Sequence, residues 1–499
     1  MKILNVETIR NTEEQNVENG EFSWKELMEY AAFQFCTFFA KKHRTKKFEN
    51  VFVIAGNGNN GGDAFLVSNF IDKLIPIKVN LLILDISSKR SELNKWALKK
   101  NLINSNINIY SIENEYSIPD IKDRDVIIDG VFGIGLNRPV TGNLRSIFQS
   151  INCIPCMKYA IDIPSGMYGD TLNPSESCIL DCDETLTFHA PKPSFFLDEN
   201  LEILSNLEIV DIGLKDLVYE GILSDEYVTA EHFLVKFKSR NNISYKGNFG
   251  NVAIVGGSQG MYGAPIISSK AALSAGCGYS SLVSCSEVLD GLAAPSILTL
   301  TTNDGSNISK IPTNSNYTYG IGPGLGRSNE AESALHDFLE RIESPIVIDA
   351  DALSLIGEKS LLHLIPPKSI LTPHIGEFRK LTKQSWSNGQ EKLDMLRSFS
   401  QENKCITVLK GPHTSICDEH GRIYFNSTGN PSLAVAGSGD VLTGIITAFL
   451  AQGYDSLEAA VKGVYLHGLA ADLYVRDKSE YSLTPESLIE YIGMALKYA

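Results

Sequence analysis

No apolar run in these 499 residues approaches the roughly 20 that a membrane-crossing helix requires. The opening MKILNVETIRNTEEQNVENG lacks the basic-then-apolar pattern of a secretory signal. A cytoplasmic location and no membrane partner are therefore expected. Positive charge is scarce: 44 Lys and Arg against 59 Asp and Glu leave a net charge of −15. That balance repels nucleic acid and acidic membrane, and leaves anionic small ligands to locally gathered lysines. Low-complexity tracts are missing, and no short motif recurs at a fixed period, which argues against a repeat architecture. The nine cysteines read as free thiols of an intracellular chain. Cys153 and Cys156, with Cys178 and Cys182 downstream, have a spacing that zinc could use. The first pair leads into an apolar strand, however, where cysteine behaves as a small hydrophobe, and that reading is preferred.

The composition, 43% hydrophobic and 21% charged, is that of a globular chain long enough for two or three domains. In the first half, short β-rich runs (NVFVIAG, VNLLILDI, DVIIDGVFG, KYAIDIPSG, ETLTFHA, LEIVDIGL) alternate with longer helical patterns. Such alternation predicts βαβ units and a parallel sheet. The pattern weakens over 213–245, the expected domain boundary. A second α/β series then runs through GNVAIVGGS, YSSLVSCS, YTYGIGPGLG, SPIVIDADAL, KSILTPH and CITVLKGPHTSIC.

Three predicted strand ends of the first half carry polar equipment. VFVIAGNGNNGGDAFLV reads as a strand, a glycine- and asparagine-rich turn needing several positive-φ residues, and a helix beginning near Asp63. Asp129 ends DVIID, and Asp162 ends YAID ahead of IPSG. Asn60, Asp129, Asp162 and Ser165 would gather hard oxygen donors suited to a cation or to acid–base work.

In this order GNGNNGGDAF, DGVFGIGLNRPVTG, AIDIPSG and TLTFHAPKP resemble the epimerase domain of the bifunctional NAD(P)H-hydrate repair enzymes. That family interconverts the R and S epimers of NADHX and NADPHX, cofactors hydrated at C6 of the nicotinamide ring. The resemblance covers residues 1–215 and implies a Rossmann-like three-layer fold. It implies substrate contacts at Asn59, Asn60, Gly61, Gly62 and Asp63, and at Gly133, Ile134, Gly135, Leu136, Asn137, Arg138 and Pro139. It further implies a potassium ion held by Asn60, Asp129 and Ser165, with Asp162 at the reacting ring as acid–base catalyst. Lys192 reads equally as a phosphate contact or a solvated surface lysine. Two departures stand out: LMEYAAF replaces the family's MENAG-like helix, affecting one pocket wall, and Ala64 stands where glycine is common.

In the second half, NPSLAVAGSGDVLTGIITAFLAQG places Asp440 where a helix begins. Asp440 could serve as an N-cap, or as an acid beside a glycine cradle for an oxyanion. The order VGGSQGMYGA, GPGLG, DADAL, TPHIGEF, KGPHT, AGSGDVLTGII resembles the ADP- or ATP-dependent NAD(P)H-hydrate dehydratases, ribokinase-like α/β proteins. It covers 226–499 and implies ADP-driven conversion of the S hydrate to NADH or NADPH, with Mg2+ on the nucleotide. By motif, Ala264, Gly326, His374 and Asp440 would meet the hydrate, while Lys410, Gly411, Pro412, His413, Thr414 and Gly439 would hold the nucleotide. Asp440 would be the catalytic base. Ile375 replaces a proline and Ser438 an alanine common in such motifs, and neither change removes a functional group. A homo-oligomer is expected. The alternative is a ribokinase-like kinase of a small alcohol fused to a non-catalytic binding domain. The intact acids of the first half argue against it.

Overall fold

The computed structural model describes residues 1–498 apart from 45–47, 88, 102–105, 205, 216–223, 231–237, 239, 287–288, 290–294 and 303–304. Much of the 213–245 stretch read as a boundary thus lies outside the described residues. The chain divides into two compact units, Lys2–Ser224 with Asn388–Gln390, and the remainder. Among the described residues no helix is long and apolar enough to cross a membrane.

The first unit is built on seven parallel strands, β1 (Asn50–Ala55), β2 (Lys78–Ile83), β3 (Asn108–Ser111), β4 (Val126–Gly130), β5 (Met157–Ile161), β6 (Glu184–Phe188) and β7 (Leu207–Val210). Their order is β3-β2-β1-β4-β5-β6-β7. Val51, Val53 and Ala55 feed a core under the helices Trp24–His43 and Asn59–Leu74, while Phe52 and Ile54 feed a second core on the other face with Ile147 and Phe148. Burial on both faces is why these strands read as continuous apolar runs. The result is a three-layer, Rossmann-like domain. The order reverses between β1 and β4, where open parallel sheets bind ligands beyond the strands' carboxyl ends.

The second unit holds β8 (Glu226–Val228), β9 (Asn251–Val255), β10 (Tyr279–Ser284), β11 (Leu298–Thr301), β12 (Thr318–Ile321), β13 (Val347–Ile348), β14 (Ile370–Leu371), β15 (Ile406–Leu409), β16 (Ser415–Cys417) and β17 (Ile423–Asn426). The order is β11-β10-β9-β12-β13-β14-β15-β16-β17-β8, reversing between β9 and β12. CITVLKGPHTSIC, read as one strand-bearing run, is a hairpin: β15 and β16 are antiparallel and Gly411–Thr414 lies in the turn. The helix Ser438–Ala451 is buried along nearly its whole length, from Val441 to Phe449. This explains an apolar density too high for an ordinary amphipathic helix.

The cysteines behave as hydrophobes. Cys156 and Cys182 are buried in the second core of the first unit with Cys178 packed against it, and Cys153 is exposed. Among the described residues the only His, Cys, Asp or Glu group with metal-ligand geometry is the surface set His336, Asp337 and Glu340, so the four cysteines are not gathered as zinc ligands.

Candidate functional site

Beyond the β1 and β4 ends of the first unit lies a cavity of about 620 Å³. Asn59, Asn60, Asp63, Gly133, Ile134, Gly135, Leu136, Asn137, Arg138 and Asp162 line it. Gly61, Gly62 and Pro139 do not. The expected turn is in fact the first turn of the Asn59–Leu74 helix, which starts four residues before Asp63. None of Gly56, Gly58, Gly61 and Gly62 has a positive φ. Close approach explains the glycines instead: a Cβ at Gly61 would stand 2.1 Å from the Gly56 carbonyl oxygen, and one at Gly62 would stand 2.9 Å from Met28 Cε. Met28 is also what LMEYAAF contributes, behind the helix. The wall itself comes from Trp24 of the same helix.

Asn60, Asp129 and Ser165 converge as expected. The Ser165 amide and hydroxyl donate to the two oxygens of Asp129 at 2.7 and 2.5 Å. Ser165 Oγ and Asn60 Nδ2 both donate to the Phe132 carbonyl, at 3.3 and 2.8 Å. Burial pushes Asp129 up to about 6 against the hydrogen bonds from Ser165 and Val131. These buried hard oxygens fit a monovalent cation once the Asn60 amide turns its oxygen inward, exchanging Nδ2 for Oδ1.

Asp162 adopts φ 67°, a left-handed conformation at the end of β5. Its Oδ1 accepts hydrogen bonds from the Phe188 amide at 3.0 Å, from Thr187 Oγ1 at 3.2 Å and from the Lys192 ammonium. Lys192 is buried, and it also reaches Thr187 Oγ1 and the Phe188 carbonyl. Neither sequence reading of Lys192 holds: it clamps the acid. Sequence reasoning also missed Glu13, Glu14 and Arg10, which enter the cavity from the helix Val6–Glu18.

In the second unit the turns after β9 and β12 interlock, the Gly257 and Ser258 amides donating to the Gly324 carbonyl at 2.8 and 2.7 Å. Gly326 has φ 79° and its Cβ would meet Ser258 Oγ at 2.6 Å, so only glycine fits. Its amide donates to Asp351 at 3.0 Å. Ala264 is half-buried on the first turn of the helix Gly263–Ser274.

The helix after the glycine turn starts at Ser438, with Gly437 as N-cap at φ 93° and no side-chain cap bond. Asp440 therefore lies inside the first turn and is not the cap. Lys410 Nζ is beside it, 3.5 Å from where a Cβ of Gly439 would stand. The ammonium is nevertheless committed elsewhere, to the buried Asp349 at 2.9 Å, whose other oxygen accepts from Thr443 Oγ1 at 2.6 Å. Burial would raise Asp349, but Lys410 and the hydroxyl hold it below its ordinary value. Asp440 is pushed up to about 7, by burial first and then by the Asp349 charge, against the pull of Lys410. Asp349 stood in the quoted DADAL motif but was given no role; it became visible only through this pairing.

His374 is a helix cap with an exposed ring. Its Nδ1 accepts from the Gly376 and Glu377 amides at 2.9 and 3.3 Å, and Glu377 returns the bond to the His374 amide. A bridge between His374 and Lys410 sets it next to the lysine. Past Lys410, the Thr414 hydroxyl closes the turn onto the Gly411 carbonyl at 3.1 Å, exposing Gly411 and Pro412. His413 turns to the Asn426 carbonyl at 3.2 Å. Unforeseen in the sequence, the buried His467 Nε2 meets the Ser438 carbonyl at 2.9 Å, and burial lowers this imidazole to about 4.

Each unit thus gathers carboxylates, a lysine and close-packed glycines beyond a sheet reversal, the make-up of an enzyme with two sites. Residues 24–194 match the family described as YjeF-related protein N-terminus, and 252–493 the family described as NAD(P)H-hydrate dehydratase. A bifunctional NAD(P)H-hydrate repair enzyme of Dictyoglomus turgidum is 30% identical, over 99% of this chain and 98% of its own. Its counterpart from Escherichia coli is 29% identical over 84% and 80%. A solved ADP/ATP-dependent NAD(P)H-hydrate dehydratase of Bacillus subtilis is 27% identical over 55% of this chain and 99% of its own, with a TM-score of 0.49. The chain belongs to the family of bifunctional NAD(P)H-hydrate repair enzymes.

Proposed function

We infer that the chain repairs hydrated nicotinamide cofactors in two steps, with epimerisation assigned to residues 1–215 and ADP-dependent dehydration to 226–499. What carries the reading is the turn at Asp440: a carboxylate poised near neutrality in the first turn of a helix, beside a lysine already neutralised by Asp349. A base titrating near the working pH is well matched to taking a proton from an alcohol. Asp440 takes the proton of the C6 hydroxyl, and that oxygen attacks the terminal phosphoryl of ADP, releasing AMP. Phosphate then leaves C6, pushed by the lone pair on the ring nitrogen, and loss of a proton from C5 gives NADH or NADPH. Amides of Ala436–Gly439 face the charge in flight, and Gly439 with Lys410–Thr414 holds the nucleotide. Ala264, Gly326 and His374 border the hydrate. Mg2+ travels with the nucleotide phosphates.

In the first unit Asp162, clamped by Lys192, takes the C6 hydroxyl proton. The C6–N1 bond then opens to an aldehyde, and reclosure on the other face gives the second epimer. Asn59, Asn60, Asp63 and the residues from Gly133 to Arg138 form the walls, and potassium held by Asn60, Asp129 and Ser165 would lock the Phe132 loop. A cytoplasmic homo-oligomer is the proposed form. Tyr30 and Phe33, exposed on the Trp24–His43 helix, support assembly, which light scattering after size-exclusion chromatography tests. The decisive experiment gives the protein mixed NADHX epimers with and without ADP. NADH absorbance should return in full only with ADP, with AMP as product. No return with ADP, or ADP formed from ATP much faster than AMP from ADP, overturns the dehydration reading.

A further inference from the structure

We propose that Glu13 is the acid partner of Asp162 in epimerisation, protonating the ring nitrogen as the C6–N1 bond opens and taking that proton back on reclosure. The inference rests on the epimerase reading above and deepens it by assigning the second proton.

Ring opening moves two protons in opposite senses. One leaves the C6 hydroxyl as its oxygen forms the C6 carbonyl, and the electron pair of the C6–N1 bond passes to N1, which must gain the other. A single carboxylate, ionised to accept the first, has nothing to give the second. Two carboxyl groups held in different protonation states meet the need. The cavity of the first unit supplies such a pair. Asp162 receives the Lys192 ammonium, Thr187 Oγ1 and the Phe188 amide, all on Oδ1, which leaves Oδ2 as the oxygen available to take a proton. Glu13 reaches the same cavity from a separate element, the Val6–Glu18 helix fixed by its Asn5 cap.

Among the described residues no hydrogen bond holds the Glu13 carboxyl, although it is half-buried on the cavity wall. Burial, then the Asp162 charge, push it up to about 7, while Lys192 and Arg10 pull it down and Glu14 adds to the rise. Asp63, facing both acids from the Asn59–Leu74 helix, is raised well above its usual range by burial and by the charges of Asp162 and Glu13. Asp162, ringed by donors, and Glu13, raised by burial, thus stand in unlike surroundings within one cavity. A purely structural acid would be paired, as Glu26 is in its capping box.

The test uses the full chain and its Glu13→Gln and Glu13→Asp variants, with R-NADHX and no nucleotide, resolving the epimers by chromatography over time. Glutamine should lower kcat for epimerisation by about 10²-fold or more with KM changed less than about threefold. Aspartate should restore part of the rate. The wild-type rate should fall as pH rises through about 7, and this limb should vanish in Glu13→Gln. ADP-driven repair of pure S-NADHX in the same samples should be unchanged, which verifies a folded chain. A Glu13→Gln rate within threefold of wild type, or an unchanged basic limb, overturns the proposal and leaves the epimerase reading standing. A wild-type chain that fails to interconvert the epimers overturns both.

Discussion

Lys192 and Lys410 occupy comparable places, each beyond a sheet's carboxyl ends and within reach of the acid proposed to do the chemistry, and each is handled differently. In the first unit the buried Lys192 donates to Asp162 itself. In the second, Lys410 donates to Asp349, and the reactive Asp440 stands outside the pair. A lysine bonded directly to an acid spends its charge on that acid. One diverted to a third group leaves the acid to burial, which raises its basicity. The two chemistries fit this difference: opening a carbinolamine ring breaks a labile bond, whereas phosphoryl transfer to an alcohol needs a stronger base at neutral pH.

The sharpest way to break the comparison is a pair of isosteric changes. Asp440→Asn should cost dehydration about 10³-fold or more while epimerisation continues, and Asp162→Asn should cost epimerisation about 10²-fold or more while pure S-NADHX is still repaired with ADP. Crossed effects in the resolved-epimer assay would remove the division of labour. A smaller effect is expected from Asp349→Asn. Losing that charge frees Lys410 to face Asp440, so both influences on Asp440 act to lower it. The dehydration rate, which rises as Asp440 ionises near pH 7, should rise at least one unit lower, with kcat reduced about tenfold by the weaker base. A limb left near 7 would show that Lys410 does not govern this acid. The smallest change belongs to Ser165→Ala, which removes one oxygen from the Asp129 cluster. With the proposed potassium site, the native chain should epimerise a few-fold faster in potassium than in sodium, and the variant should lose that difference with dehydration untouched.

What could be read from the sequence was what lies close along the chain. Asp129, Asp162 and Asp440 were visible because each ends, follows or opens a run whose apolar density announces a buried strand or helix. The Asn60–Asp129–Ser165 convergence followed from strand ends of one parallel sheet. Glu13 was hidden because VETIRNTEEQNVE carries no motif and meets Asp162 across about 150 residues. Lys192 was misread because burial of a lysine is decided by its partner, and the partner lies on another strand. The hairpin at Gly411–Pro412 was legible in principle, since Gly-Pro is a turn signal, but the β-rich flanks masked it. Helix starts were placed late at both glycine-rich turns because glycines chosen for close packing look the same as glycines chosen for φ.

The tie between His467 and the Ser438 carbonyl gives the second unit a staged response to acid. If Asp440 is the proposed base, dehydration should stop as pH falls through about 7 and Asp440 gains a proton, with the packing still intact. His467, lowered from 6.5 to about 4 by burial, contributes stability that is present above 6.5 and disappears as the pH drops toward 4. The first event precedes most of the second, so a sample moved briefly to mild acid should regain its dehydration activity on neutralisation. Acidification past about 4, where His467 on the Ser456–Asp477 helix becomes charged, should instead give slow or incomplete recovery.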